Sequence, residues 1–153
     1  MASIRRLSVL VILVAAFGCK SADTTQQMIA TCGGSVQGKA SRYGPLNCIA
    51  LSGSTATPLI DPLHVYPHGK NGEAVKITWA SADPNADLHI MMKDPSQGCV
   101  KSVACPRKQL CMATVVSTAA AGTQCEYQIS NGGGQPMDPI IIVDSCCPDP
   151  PQP

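Results

Sequence analysis

The chain has 153 residues, a net charge of +1 and only 14% charged residues, which is the size of one domain on the usual scale of roughly 100 to 200 residues. Its Lys and Arg are scattered, so no basic stripe exists to neutralise phosphates, which argues against a nucleic-acid partner. Aromatic residues amount to 3%, with one Trp and one Phe; the core must be aliphatic and thin, and the nine cysteines can supply the cross-links such a domain needs.

Residues 1–18 read as a leader: Arg5 and Arg6 give a positive start, and Leu7 to Phe17 form an apolar run too short to span a bilayer. The run ends on Ala16-Phe17-Gly18-Cys19, which resembles the lipobox of bacterial lipoproteins. Gly18 and Cys19 fit that pattern; Ala16 and Phe17 depart from it, since the family favours Leu three residues before the cysteine and a small or β-branched residue two before. The resemblance implies that the chain is cut before Cys19 and that Cys19 becomes an acylated, palmitate-bearing N-terminus. Lys20, where many inner-membrane lipoproteins carry Asp, implies an outer-membrane anchor in a Gram-negative host, with the domain facing the periplasm or the exterior. The plainer alternative is an ordinary secretory signal cut near Gly18.

Assigning Cys19 to the membrane leaves Cys32, Cys48, Cys99, Cys105, Cys111, Cys125, Cys146 and Cys147. That even count suits an oxidising envelope compartment and up to four disulfides. Cys32 and Cys48 form the nearest local pair. Cys146 and Cys147 are adjacent, so a bond between them would strain disulfide geometry, and different partners are expected. Cys99, Cys105 and Cys111 are spaced by five residues rather than the two to four of zinc pairs, and no Cys-x-x-Cys is present.

Residues 19–57 are polar and turn-rich, and read as an extended tether leading into a disulfide-pinned loop region. Residues 58–147 read as the folded domain. "LIDPLHVYP" suits a strand interrupted by Pro62. "EAVKITWAS" alternates, with Val75, Ile77 and Trp79 on one face, and "DLHIMMK" does the same with Leu88, Ile90 and Met92. Pro95 to Leu110 reads as a long loop. "CMATVVST" and "QCEYQI" follow as strands, the second with Cys125, Tyr127 and Ile129 inward. "DPIIIVD" is a continuous apolar run, as of a strand covered on both faces. Residues 148–153 form a proline-rich tail. Short strands at regular spacing give an all-β class, an antiparallel β-sandwich rich in disulfides.

The succession "KNGEAVKITWAS", "DLHIMMKD", "AGTQCEYQI" and "MDPIIIVD" resembles the cupredoxin-like sandwich domains of bacterial envelope proteins, many of which lack copper. An immunoglobulin-like sandwich is the alternative, but there the tyrosine precedes the second cysteine by two residues, whereas Tyr127 follows Cys125. The cupredoxin resemblance implies a copper site of two His, a Cys and a Met only where a His follows the Cys; His64, His68 and His89 all precede Cys99, so that motif is missing. A looser copper site built from His64, His68, His89 and Met91 is the alternative to no cofactor.

"DPNADLHIMMKD" places Asp83, Asn85, Asp87 and Asp94 like a calcium loop, but Leu88 stands where the loop needs Gly, and a turn before a strand accounts for the same residues. Neither a Gly-x-Ser-x-Gly elbow nor a His-Glu-x-x-His helix occurs, and no enzymatic activity is expected. The sequence thus points to a small cysteine-rich envelope lipoprotein with a structural or interaction role, whose partners are the membrane and another envelope protein. A copper-binding module is the second reading, and a thiol redox protein using Cys146 and Cys147 the third.

Overall fold

Alternating apolar residues in short runs cannot bury themselves alone, and they do so here by stacking two sheets. The computed structural model describes residues 20–33, 46–69 and 71–145; Cys19, Cys146, Cys147 and the proline-rich tail lie outside them. The elements are a helix α1 (Lys20–Gly33) and nine strands: β1 (Leu46–Ser52), β2 (Thr55–Pro58), β3 (Leu63–Val65), β4 (Lys76–Ala80), β5 (Leu88–Met92), β6 (Val100–Arg107), β7 (Leu110–Val115), β8 (Gln124–Asn131) and β9 (Ile140–Val143). One sheet has the order β2-β1-β4-β7-β6 and the other β3-β9-β8-β5. The chain is therefore an all-β sandwich.

Its pairing is mixed. β1–β2, β4–β7, β6–β7, β5–β8 and β8–β9 run antiparallel, but β1–β4 and β3–β9 run parallel. Both parallel pairs arise around one crossing. β2 belongs to the first sheet and β3 to the second, so the strand read across Pro62 is split where the chain passes between layers. Asn47, buried on β1, holds that crossing: its side chain donates to the Ile60 carbonyl at 2.7 Å and accepts from the Ile60 N–H at 3.1 Å.

The core follows the alternation. Ile77 and Trp79 of β4, Cys111, Ala113 and Val115 of β7, Tyr127 and Ile129 of β8, and Ile141 and Val143 of β9 meet between the sheets, nearly all inaccessible to solvent. Trp79 and Tyr127 stack obliquely with ring centroids 5.4 Å apart. β9 is central in its sheet, yet Ile140 and Ile142 on its outer face are only half-buried, so the continuous apolar run is covered fully on one side alone.

Three expectations are corrected. Within the stretch read as tether and loop, the described residues are regular structure instead: α1 occupies Lys20–Gly33, and β1 and β2 occupy most of 46–58. The sandwich thus begins at Leu46 rather than at residue 58. The physical reason is a second, smaller core: Met28 of α1 packs with Leu46, Cys48, Ala80 and Leu110 on the outer face of the five-stranded sheet, flanked by half-buried Ile29, Cys32 and Met112. The stretch from Pro95 to Leu110 is not a loop but a short 3-10 turn (Pro95–Gln97) followed by β6. β6 is an edge strand with two register shifts against β7 and a mostly exposed surface, so it has no buried face to give it an alternating pattern.

Candidate functional site

Six cysteines are paired. Cys32–Cys48 ties the last turn of α1 to β1, with Cα atoms 5.3 Å apart. Cys99–Cys125 links the residue before β6 to β8 at a Cα separation of 6.2 Å, and both sulfurs belong to the buried core. Cys105–Cys111 joins neighbouring β6 and β7 at 3.9 Å, with Cys111 buried and Cys105 exposed. The three bonds thus join different parts, the first helix to sheet, the second sheet to sheet, and the third an edge strand to its neighbour. The remaining cysteines are Cys19, Cys146 and Cys147. All three lie outside the described residues, and so does the expectation that Cys146 and Cys147 have different partners.

The two outer faces differ in kind. α1 covers a patch of β1, β4 and β7 on the five-stranded sheet, whereas among the described residues no helix lies on the four-stranded one. There β5 presents His89 and Met91, with Lys93 just after it, and β8 presents Gln124, Glu126, Gln128 and Ser130. Met91 is 62% exposed. It borders a shallow cleft of about 550 Å³ lined by His89, Met91, Cys105, Gln128, Ser130 and Gly134, among others.

At one end of the cleft the Asp87 carboxylate lies 3.7 Å from His89 Nε2 and 3.8 Å from Lys108 Nζ. Just past the end of β5, Lys93 Nζ sits 2.9 Å from Asp138 and 3.1 Å from Glu126. Hydrogen bonds to Asp138 and then Glu126 raise its pKa, so Lys93 stays cationic in a solvated cluster. The Asp83 carboxylate accepts from the Asn85 N–H at 2.8 Å, and the Asp87 N–H donates to the Asn131 side chain at 2.8 Å; this is a turn feeding β5.

The histidines named from the sequence are scattered. His64 on β3 faces outward and its Nδ1 pairs with both oxygens of Asp144, at 3.0 and 3.1 Å. His68 Nδ1 lies 3.2 Å from the Gly69 carbonyl oxygen. His64 stands level with Ile142 and hence Gln124, whereas His89 stands opposite Ser130. Three strand spacings and six residues of strand separate the two, roughly 25 Å, while metal donors must converge within about 2 Å of one ion. His64 shares the outer face of the four-stranded sheet with His89 and Met91, but only His89 and Met91 are neighbours on it. Among the described residues no three His, Cys, Asp or Glu side chains are grouped to hold a metal.

Trp79 and Tyr127, expected inward, form a buried polar centre with Asn47, which the sequence reading passed over. Trp79 Nε1 donates to the Tyr127 hydroxyl at 3.2 Å, and Asn47 lies near enough to that hydroxyl to favour its ionised form. Burial foremost, with the Asp61 charge adding to it, pushes the Tyr127 pKa up to about 12 against the pull of Trp79 and Asn47. The tyrosine is a neutral internal strut at ordinary pH. Trp79 and Tyr127 were legible as inward residues; Asn47, inside "LNCIALS", carries no signal that sets it apart from a turn asparagine. No helix among the described residues is long and apolar enough to cross a membrane. No known family model matches the chain, and no curated protein matches it.

Proposed function

We propose that the protein is a small cysteine-rich lipoprotein of the bacterial envelope, anchored through acylated Cys19, in which a disulfide-stapled β-sandwich serves a structural or protein-interaction role. The observation that carries this reading is the pairing of all six cysteines in the described body. Such pairing suits an oxidising compartment outside the cytosol, and the leader that ends on Gly18-Cys19 supplies the route there. The lipobox resemblance supports an outer-membrane anchor, and the strand succession supports a cupredoxin-like domain without the type 1 copper motif.

The chemistry of the exposed surface supports interaction rather than catalysis. Its charged groups are solvated and paired, as on an ordinary soluble face, and the uncovered outer face of the four-stranded sheet carries the one strongly exposed methionine among the described residues. An envelope protein partner is therefore assigned to that face. Membrane fractionation of cells expressing the native chain and a Cys19→Ser variant tests the anchor: the native protein should sediment with membranes and the variant should not. Equal fractionation of the two overturns it.

A further inference from the structure

A polar tether of residues 20–57 would let the domain wander, since a flexible chain of that length has a root-mean-square span of roughly 31 to 37 Å. The chain is built otherwise. α1 begins at Lys20, directly after Cys19, and is docked on the sandwich by its last turns. Met28 is 9% exposed against Leu46, Cys48, Ala80 and Leu110, with Ile29 and Cys32 beside it. The Cys32–Cys48 bond fixes the helix covalently to β1, and Gly33 approaches Ala82 so closely that a Cβ there would lie 3.3 Å from the Ala82 methyl. From Lys20 to Met28 is eight residues, or about 12 Å along a helix axis.

We propose that α1 is a stiff stalk that seats the sandwich against the lipid surface, with the helix-covered sheet proximal to the anchor. This rests on the acylation of Cys19 proposed above. A stalk of about 12 Å is shorter than a domain of this size is wide, so the body cannot leave the headgroup layer. Packed layers are each about 10 Å apart. The outer face of the four-stranded sheet, with His89, Met91 and Ser130 at its cleft, then lies on the far side of the core from Cys19. A partner would meet that face from the aqueous side, at a fixed height above the membrane.

Trp79 is the single tryptophan of the chain and lies on β4, the strand that α1 overlies, so it serves as a native reporter. The full-length protein, extracted with its anchor and reconstituted in phosphatidylcholine and phosphatidylglycerol vesicles bearing dansyl headgroups, is compared with a variant carrying a flexible Gly/Ser insertion of about twenty residues between Ser21 and Ala22. Intact mass of both samples is taken first. With acyl chains present, energy transfer from Trp79 should be strong in the native chain and fall by about threefold or more on insertion, since the segment adds a span of roughly 25 Å. Equal transfer in two acylated proteins overturns the stalk while leaving the anchor intact. A mass without acyl chains overturns the anchor reading, and the stalk with it.

Discussion

The indole N–H of Trp79 on β4 donates to the hydroxyl of Tyr127 on β8, 3.2 Å away and across the two sheets. In a core with few aromatics it ties the two layers together through their two largest buried side chains, and it satisfies two polar groups that burial would otherwise penalise. Tyr127→Phe keeps the ring and removes the acceptor. The orphaned indole N–H should lower stability by about 1 to 3 kcal/mol, read as a lower urea midpoint at unchanged slope in Trp79 fluorescence.

The same hydroxyl sets the alkaline limit. Tyr127 titrates at about 12 in the folded protein and near the ordinary tyrosine value of 10.0 when unfolded, so the folded state keeps a proton that the unfolded state has lost. Stability is therefore flat through pH 10 with respect to this group and declines between pH 10 and 12. Urea midpoints measured over that window should fall in the native protein and fall less in Tyr127→Phe.

The disulfides should differ in worth according to the loops they close. Cys99–Cys125 spans 26 residues and Cys105–Cys111 spans 6, for which loop entropy gives about 3.5 and about 2 kcal/mol. Paired Cys→Ala variants should rank in that order in thermal unfolding. Under mild reduction Cys105, the exposed member, should react with a thiol reagent before Cys99 or Cys125, which peptide mapping would show.

Gly134 lies against the β1–β2 turn, where an added Cβ would collide with the Ser54 carbonyl oxygen. Because backbone, not a mobile side chain, stands in the way, Gly134→Ala should destabilise by about 1 to 3 kcal/mol. Gly133→Ala is the control. Its Cβ would meet nothing within 4 Å, and its effect should stay within about 0.5 kcal/mol.

Strands that bury one face against the core were legible in the sequence, because burial writes a period of two into β4, β5 and β8. Elements outside the main core were not. β6 is an exposed, bulged edge whose residues answer to no buried surface. α1 covers so little of the sheet that Met28, Ile29 and Cys32 make only a patch rather than a stripe, and a disulfide secures what the patch does not. The parallel pairs depend on where the chain changes sheets, which Asn47 and Ile60 fix through contacts 13 residues apart. His64 and His89 look like neighbours when only donor types are compared, yet strand order alone sends them to opposite edges of the sheet.

The lipid anchor and the stapled body are tested most directly by the intact mass of the membrane-extracted protein, taken before and after reduction with alkylation. The chain should begin at Cys19, carry acyl mass on that residue, and gain at least six alkyl groups on Cys32, Cys48, Cys99, Cys105, Cys111 and Cys125 only after reduction. A soluble, unacylated chain, or one in which those six thiols alkylate without reduction, would contradict it.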